Sequence, residues 1–393
     1  MTFGARRAAA FAFAGWRASG TYPAELLPAG EDRAFAQDIV FTAIRRMRPL
    51  RLVLGELLKT WPKGELEALL FIGAAQILYM PDVPDFAAVN ETVSAAKTCR
   101  NPKIAGVVNG VLRNLVRRRG EFEAMIAGAP LEVRESYPSV LVRRWTAHFG
   151  AEDAGRLAAW HNEPAVTFLA YPDRFEPLPR GMRVDSVKGF AEGRFIVQDP
   201  ATRLAVDALD LHEGDTLLDL CAAPGGKTIQ SAWRGARVTA CEVNPKRRRR
   251  LEENLRRTRL DGAVRVLATL DEAEAGAPYG KILVDAPCSN TGVLRRRPDA
   301  RWSFSEEKLA SLVRLQAGLL DAAARLVAPG GLLVYSTCSC EAEENADQRD
   351  AFLSRHPEFS CVGSAESLPF LSGSDGAFAA AFRAPGRSYG KEH

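Results

Sequence analysis

The sequence lacks any apolar run long enough to cross a lipid bilayer. The longest, residues 68–80, falls short of the ~20 residues that a transmembrane helix requires. Its seven cysteines are odd in number, and their spacing is not that of a disulfide framework. Cys338 and Cys340 are too isolated from other ligands to indicate a metal site. We therefore expect a protein of the reducing cytoplasm, with neither a membrane nor a metal as partner. A monomer is the default expectation, because nothing in the sequence indicates the oligomeric state.

The first residues superficially resemble an export signal, because Arg6 and Arg7 precede an apolar stretch at 8–16. That stretch is short, and no clear cleavage site follows it. An amphipathic first helix is the better interpretation.

Two common phosphate-binding patterns, GxGxxG and GxxxxGK[ST], are also absent. In their place, residues 216–231 read as a buried strand (216–220), a tight loop (221–225) and a helix that starts near Gly226. The glycines of this loop let the backbone approach a ligand that a Cβ atom would block. An adenosine ligand without a pyrophosphate, such as S-adenosylmethionine, fits this loop; the alternative is a generic strand–turn–helix unit.

Three further strands bring reactive side chains toward the same edge of a sheet. The strand 237–241 ends at Glu242, an acid suited to a ribose hydroxyl, although it comes slightly early for that role. The strand 281–285 ends near Asp285 and Cys288, and the strand 331–336 ends near Cys338. Because ligands of open α/β sheets bind at the carboxyl ends of strands, we expect these groups and Asp219 to lie together.

The chain divides into three predicted domains. Residues 1–125 read as helices throughout, at 35–45, 50–60, 65–79, 86–97 and 103–118, separated by prolines. Residues 126–205 form a small α/β linker domain, with helices at 138–149 and 151–161 and short strands at 166–170, 181–187 and 194–196. Residues 206–393 alternate strands (216–220, 237–241, 263–267, 281–285, 331–336) with helices, which predicts a doubly wound, mostly parallel sheet. Residues 375–382 read as a strand or an edge hairpin.

Arginines and lysines cluster in four places. In the helical domain the clusters are Arg45, Arg46, Arg48 and Arg51, and then Arg113, Arg117, Arg118 and Arg119. Either they end solvated helices, where cations are favoured, or they contact RNA phosphates. In the sheet domain, the run at 246–250 favours a solvated helix face. The run at 295–297 with Arg301 lies near the expected site and favours RNA contact, with Trp302 as a stacking surface.

A thiol beside a methyl donor suggests a specific chemistry. Carbon 5 of a pyrimidine is a poor nucleophile until a thiolate adds to carbon 6, which is nucleophilic catalysis. Asp285 can protonate or hydrogen-bond the ring nitrogen and exocyclic amine of cytosine. Cys288 and Cys338 follow strands directly, so both are presented as reactive groups. Cys99, Cys221, Cys241, Cys340 and Cys361 are read as small hydrophobic residues.

The N-terminal domain resembles the NusB-like RNA-binding helical domains. The resemblance lies in residues 32–40, 69–79, 83–93 and 108–114, and above all in Ala-Ala-Val-Asn-Glu and Val-Asn-Gly-Val-Leu-Arg-Asn. It implies an all-α fold and ribosomal RNA as a partner.

The rest of the chain resembles the NOL1/NOP2/Sun family of RNA cytosine carbon-5 methyltransferases. The matching stretches are Leu-Asp-Leu-Cys-Ala-Ala-Pro-Gly-Gly-Lys-Thr from Leu218, Asp-Ala-Pro-Cys-Ser from Asp285, and Ser-Thr-Cys-Ser from Ser336. The resemblance implies a Rossmann-like sheet domain, S-adenosylmethionine as cofactor, and small-subunit ribosomal RNA as substrate. It also implies Cys338 as nucleophile, Cys288 in product release, and Asp285 between cofactor and cytosine. The implied cofactor-binding residues are Cys221, Ala222, Ala223, Pro224, Gly225, Gly226, Lys227, Glu242 and Asp285.

Two rival functions fit parts of this pattern. An exocyclic-amine methyltransferase carries Asp-Pro-Pro-Tyr where this chain has Asp-Ala-Pro-Cys, and that chemistry needs no thiol. A non-catalytic RNA-binding or antitermination factor would retain the sheet domain as a scaffold.

Overall fold

A computed structural model of the chain describes residues 4–179 and 181–386, and the chain forms two compact units. The first contains Met1–Glu163 and Arg297–Phe304, and the second contains Pro164–Arg296 and Ser305–His393. The helices between residues 126 and 163, assigned to the linker domain from sequence, belong by compactness to the first unit. The three-domain division remains a prediction, and its outer ends, residues 1–3 and 387–393, lie outside the described residues.

The helices and strands of the described residues have the following bounds. The helices are α1 (Ala5–Ser19), α2 (Arg33–Arg45), α3 (Met47–Leu57), α4 (Glu65–Tyr79), α5 (Asp85–Lys97), α6 (Ile104–Arg117), α7 (Arg119–Ala127), α8 (Leu131–Arg134), α9 (Ser139–Phe149), α10 (Ala151–Trp160), α11 (Arg203–Ala208), α12 (Gly226–Trp233), α13 (Pro245–Arg257), α14 (Leu270–Ala275), α15 (Ala300–Ser303), α16 (Glu306–Leu326), α17 (Ala346–Arg355) and α18 (Pro369–Ser372). The strands are β1 (Phe168–Ala170), β2 (Phe175–Pro177), β3 (Ile196–Val197), β4 (Thr216–Leu220), β5 (Arg237–Cys241), β6 (Arg265–Leu267), β7 (Tyr279–Asp285), β8 (Val327–Thr337), β9 (Ser360–Ser367) and β10 (Ala377–Arg383).

The helical unit is built around α4. Residues 68–77 of α4 are all buried, as expected for a helix that is apolar on every side. The amphipathic helices α1, α2, α5 and α6 pack around it; on α1, Phe13 stacks on Phe71 with ring centroids 5.0 Å apart. The predicted helices of this unit, including the amphipathic first helix, are confirmed.

The second unit contains a sheet of seven strands in the order β6-β5-β4-β7-β8-β10-β9. Strands β6, β5, β4, β7 and β8 are parallel, and β10 runs antiparallel between β8 and β9. Strands β5 and β6 lie on one side of β4, whereas β7 and β8 lie on the other side. This change in the side on which successive strands are added opens a crevice at the carboxyl ends of β4 and β7. The predicted doubly wound, mostly parallel sheet is therefore confirmed. A separate antiparallel sheet has the order β2-β1-β3.

One predicted strand is wrong, and two observed strands, β2 and β9, were not foreseen. Residues 181–187 form no strand; they contain a short 3-10 turn, Val184–Ser186, in which Val187 donates to the Val184 carbonyl. Their side chains, such as Met182 at 47% exposed, have no core to pack against. The polar strand β9 lacks the alternating apolar pattern that reveals a strand, because it lies at the edge of its sheet with exposed residues.

No helix of the described ranges combines the length and apolar character that a membrane span needs.

Two phenylalanines of α1 provide a matched test of this packing. Phe13 is 0% exposed, whereas Phe11 is 60% exposed. We expect Phe13→Ala to lower the free energy of unfolding by roughly 3–5 kcal/mol, because it leaves a cavity beside α4. Phe11→Ala should change it by no more than about 0.5 kcal/mol. Urea unfolding followed by circular dichroism measures both, and equal losses would contradict this packing.

Candidate active site

Two cysteines meet at the carboxyl ends of β7 and β8. The strands pair in parallel with Asp285 opposite Ser336. Cys288 follows β7 and Cys338 follows β8, and their Sγ atoms lie 3.3 Å apart. Cys288 is buried, and Cys338 is half-buried. The two thiols that the sequence singled out are therefore direct neighbours.

The loop that carries Cys288 is fastened to the end of β8. Gly292 N–H donates to the Cys338 carbonyl at 3.0 Å, and a Cβ atom at Gly292 would lie 2.7 Å from that same oxygen. Asn290, with φ of 61°, donates from Nδ2 to the Cys288 carbonyl and accepts from Cys338 Sγ at 3.5 Å. These bonds fix both thiols relative to one backbone frame.

A buried carboxylate, Glu344, supports this loop, and no local pattern distinguishes it in the sequence. Glu344 accepts hydrogen bonds from the Ser289 backbone N–H at 2.9 Å and from Gln316 Nε2 at 2.9 Å. Burial raises the pKa of Glu344 although these bonds oppose the shift. It lies in a run of charged residues after β8, which by pattern alone resembles solvated surface.

An ion pair lies beside the thiols. Lys227 Nζ is 2.6 Å from Oδ2 of Asp285, and Ser336 Oγ donates to Oδ1 at 2.8 Å. Burial by itself lowers the pKa of Lys227, but the Asp285 carboxylate outweighs it and the net shift is upward. Asp285 and Lys227, both predicted site residues, are thus joined to each other and to β8.

The thiols differ in their surroundings. The hydrogen bond to Cys338, followed by burial, raises the pKa of Cys288 well above its ordinary value. Burial raises the pKa of Cys221 to about 12 and that of Cys241 to about 11, which suits buried hydrophobic residues.

No group of three or more metal-ligating side chains occurs among residues 4–179 and 181–386.

Two carboxylates at the ends of β4 and β5 each have one oxygen without a partner. Glu242 Oε1 accepts from the Asn244 N–H at 2.8 Å, and Asp219 Oδ2 accepts from Thr228 at 2.5 Å. Their other oxygens, Oε2 and Oδ1, find no hydrogen-bond donor in the described structure, although both residues are buried. Buried acceptors are normally satisfied, so these two oxygens fit a ligand with hydroxyl or ammonium donors, as S-adenosylmethionine has.

The loop from Cys221 to Gly226 connects β4 to α12, as predicted. Gly225 has φ of 104°, a conformation that residues other than glycine rarely adopt, and a Cβ atom there would lie 2.7 Å from Leu251. A Cβ atom on Gly226 would lie 2.8 Å from the Gln198 amide, which would have to shift. The predicted role of these glycines in ligand approach remains a prediction.

The expected RNA-contacting loop is corrected by the structure. Arg301 is 0% exposed and donates to the Ser136 carbonyl and to Asn162, and Trp302 donates to the Ile44 carbonyl. Arg296 binds Asp199 and Asp375 at 2.7 and 2.6 Å. Because these groups already have protein partners, the run serves structure rather than phosphate binding.

The two basic clusters of the helical unit also contain arginines that already have protein partners. Arg46 pairs with Glu135 at 3.4 Å, and Arg119 donates to the Ile77 carbonyl and to Asp85. Arg118 pairs with Glu121. Arg51 is exposed and stacks on an aromatic ring instead. In the sheet domain, the run at 246–250 is mostly exposed on α13, as expected for a solvated face.

Comparisons with known proteins agree with this geometry. The family of 16S rRNA methyltransferases RsmB/F matches residues 206–376, and the NusB family matches residues 4–117. Ribosomal RNA small subunit methyltransferase B of Serratia proteamaculans is 33% identical over 388 residues, which cover 88% of this chain and 90% of that protein. The chain belongs to this methyltransferase family.

Other relatives extend the likeness over the whole length. The enzyme of the same name from Cronobacter sakazakii is 32% identical over 386 residues, with 88% of this chain and 90% of that protein covered. The crystal structure of PH0851 covers 97% of this chain and 99% of its own, with a TM-score of 0.77 at 23% identity, which shows the same fold. The predicted fold class is confirmed, and the cofactor of this methyltransferase is S-adenosylmethionine.

The buried Asp219 predicts a pH effect on stability. Burial raises its pKa from 3.8 to about 7, so the folded state favours the neutral acid. Stability that is present near pH 4 is therefore lost as the pH rises through 7. We expect the free energy of unfolding of Asp219→Asn, relative to the unsubstituted protein, to rise by roughly 3 kcal/mol from pH 4.5 to pH 8.5.

Urea unfolding of the full chain across this pH range measures the difference. The exposed Asp271 of α14 provides the control, because Asp271→Asn should give a curve parallel to that of the unsubstituted protein. A parallel curve for Asp219→Asn as well would show that Asp219 is ionised without cost.

Proposed function

We propose that this protein methylates carbon 5 of a cytosine in small-subunit ribosomal RNA through a covalent bond to Cys338. The observation that carries the proposal is the pair of thiols, 3.3 Å apart, beside the Lys227–Asp285 ion pair. A methyltransferase that acts on an exocyclic amine has no use for two adjacent thiols. The names of the relatives supply the class of RNA.

The steps follow from the reactivity of the ring. Cys338 Sγ, as thiolate, forms a bond to carbon 6, and the electron pair of the 5,6 double bond makes carbon 5 nucleophilic. S-adenosylmethionine, when bound, would supply an electrophilic methyl group to carbon 5, with the bond from the cofactor sulfur to that methyl breaking and its electron pair remaining on the sulfur. The carbon-5 proton then leaves to a base, the double bond re-forms, and the bond from Sγ to carbon 6 breaks. Cys288 assists this last stage.

The pairing of the thiols suits these roles. Two thiolates 3.3 Å apart would repel each other, so the pair retains one proton while the other sulfur is free to attack. Cys288 is buried, and because burial disfavours a thiolate, Cys288 is favoured as the protonated member. Cys338 is also the more exposed of the two, as a nucleophile must be.

The remaining predicted residues have supporting roles. Each oxygen of Asp285 accepts one hydrogen bond, from Lys227 or from Ser336, and keeps a second lone pair that can accept from the exocyclic amine of cytosine. The cofactor lies against residues 221–227, of which the loop Ala223–Lys227 holds its methionine part. Glu242 binds its ribose. The target cytosine must be unstacked to reach a thiol at a sheet edge, so a loop or a transiently opened strand of the RNA is the substrate.

A mechanism-based trap tests the reaction. RNA that carries 5-fluorocytosine cannot lose a proton from carbon 5, so the covalent intermediate should persist. We expect a denaturation-resistant protein–RNA adduct in the presence of S-adenosylmethionine, at Cys338 by peptide mass mapping. Cys338→Ala should abolish it.

The exposed Cys361 is the matched control, since Cys361→Ala should leave the adduct yield unchanged. An adduct at Cys288 would exchange the two roles. Methylation that survives Cys338→Ala, without any adduct, would favour the exocyclic-amine reaction instead.

The role of Glu242 can be tested by cofactor binding alone. Glu242→Gln should weaken S-adenosylmethionine about 10- to 100-fold in calorimetry, because a hydrogen bond to a charged group contributes about 1.5–3 kcal/mol. Glu253→Gln, on the exposed side of α13, should bind the cofactor normally. Unchanged affinity in Glu242→Gln would remove Glu242 from the cofactor site.

A further inference from the structure

A pocket of about 380 Å³ opens in the helical unit, away from the thiols in sequence and within a single compact unit. It lies between α1, α3 and the segment that leads into α4, and its walls include Arg17, Arg51, Trp61 and Lys63. The volume falls in the range of small-molecule sites, roughly 300–1,000 Å³. In the sequence, Arg51 belongs to a basic cluster, whereas no local pattern distinguishes Trp61 or Lys63.

The pocket is positively charged. Three cations line it, Arg17, Arg51 and Lys63, against one carboxylate, Glu67. Glu67 is already engaged, because its Oε1 accepts from the Trp61 indole N–H at 3.0 Å and lies 3.8 Å from Arg17. Positive charge therefore exceeds negative charge at the mouth, which favours an anionic ligand.

The helix α4 adds to this field. The pocket wall includes Gly64 and Glu67, which flank the first turn of α4. Gly64 caps the helix without a side-chain acceptor. The first backbone N–H groups of a helix lack intrahelical partners and carry a partial positive charge, which Glu65 and Glu67 of the same turn partly offset.

The other wall is a flat, fixed surface. The Arg51 guanidinium lies over the Trp61 ring, 4.3 Å from its centroid. The Trp61 ring packs edge-on against buried Phe71 at 5.9 Å, and its N–H is held by Glu67. Arg51 is exposed, so its outer face is available to a second planar group. Guanidinium planes and indole rings are surfaces on which unpaired bases stack.

We propose that this pocket binds one unpaired nucleotide of the RNA, with the base on the Arg51–Trp61 layer and the phosphate at Arg17, Lys63 and the start of α4. The proposal rests on the proposed function only for the identity of the RNA. It assigns the helical domain a defined single-stranded contact, in addition to general attraction to phosphates. The bound nucleotide belongs to the same RNA as the target cytosine but is not that cytosine.

Substitutions at Arg51 separate stacking from charge. Binding of a single-stranded RNA oligonucleotide, and of the substrate RNA, to the full chain is measured by fluorescence anisotropy at fixed salt. Arg51→Ala and Arg51→Lys should both weaken binding about 5- to 150-fold, equivalent to the 1–3 kcal/mol for one stacked base. Arg51→Lys keeps the charge, so a loss in this variant reports the planar contact.

Lys63→Glu tests the phosphate end, with Lys97→Glu as its control. Both lysines are exposed and the change in charge is the same, but Lys97 lies at the end of α5, outside the pocket. Only Lys63→Glu should lose affinity beyond the general electrostatic effect. Photocrosslinking of RNA containing 5-iodouridine should map to peptides that line the pocket.

Several results would overturn the proposal. One is that both Arg51 variants bind RNA as tightly as the unsubstituted protein. Another is that Lys63→Glu and Lys97→Glu lose equal affinity. A third is that free adenosine monophosphate binds at Arg51 although substitutions of Arg51 leave RNA affinity unchanged. An adduct missing from the unsubstituted protein, with pocket binding intact, would instead defeat the cytosine chemistry alone.

Discussion

The parallel pairing of β7 with β8 is the constraint on which the meeting of the two thiols depends. Backbone hydrogen bonds set Asp285 opposite Ser336, and the side chains beyond each strand end inherit that register. A slip of one residue would turn Cys338 to the opposite face of the sheet, away from Cys288. The Gly292 contact with the Cys338 carbonyl then locks the loop after β7 onto β8. Two segments fifty residues apart in sequence thereby share one site.

The buried charged groups of the site differ in whether the protein itself satisfies them. Lys227 and Asp285 neutralise each other, and Glu344 is satisfied by backbone and amide donors. Asp219 and Glu242 instead keep an unpaired oxygen each, at a cost in desolvation that a purely structural residue would not carry. The crevice at the ends of β4 and β5 is therefore less stable than it could be, and binding of the cofactor can offset that cost.

Basic residues in an RNA-binding protein have more than one use. Arg301 is as deeply buried as any apolar core residue and holds its segment through the Ser136 carbonyl and Asn162. Arg296 is held by two aspartates. Arg51, by contrast, is exposed and lies flat on Trp61. Burial and partners, rather than the density of arginines along the chain, decide which of them can reach a nucleic acid.

The sequence by itself determined the helices, the parallel strands and the residue types at the strand ends, because apolar periodicity, prolines and short motifs are local signals. It also determined the candidate site residues, Cys288, Cys338, Asp285 and Glu242 among them. Only the tertiary structure decided which charges are buried, since that depends on neighbours distant in the chain. Glu344, the fate of Arg301 and the edge strand β9 were beyond local pattern for this reason, as was the layer of Arg51 on Trp61. No strand forms at 181–187, because the side chains of this segment do not pack against a core.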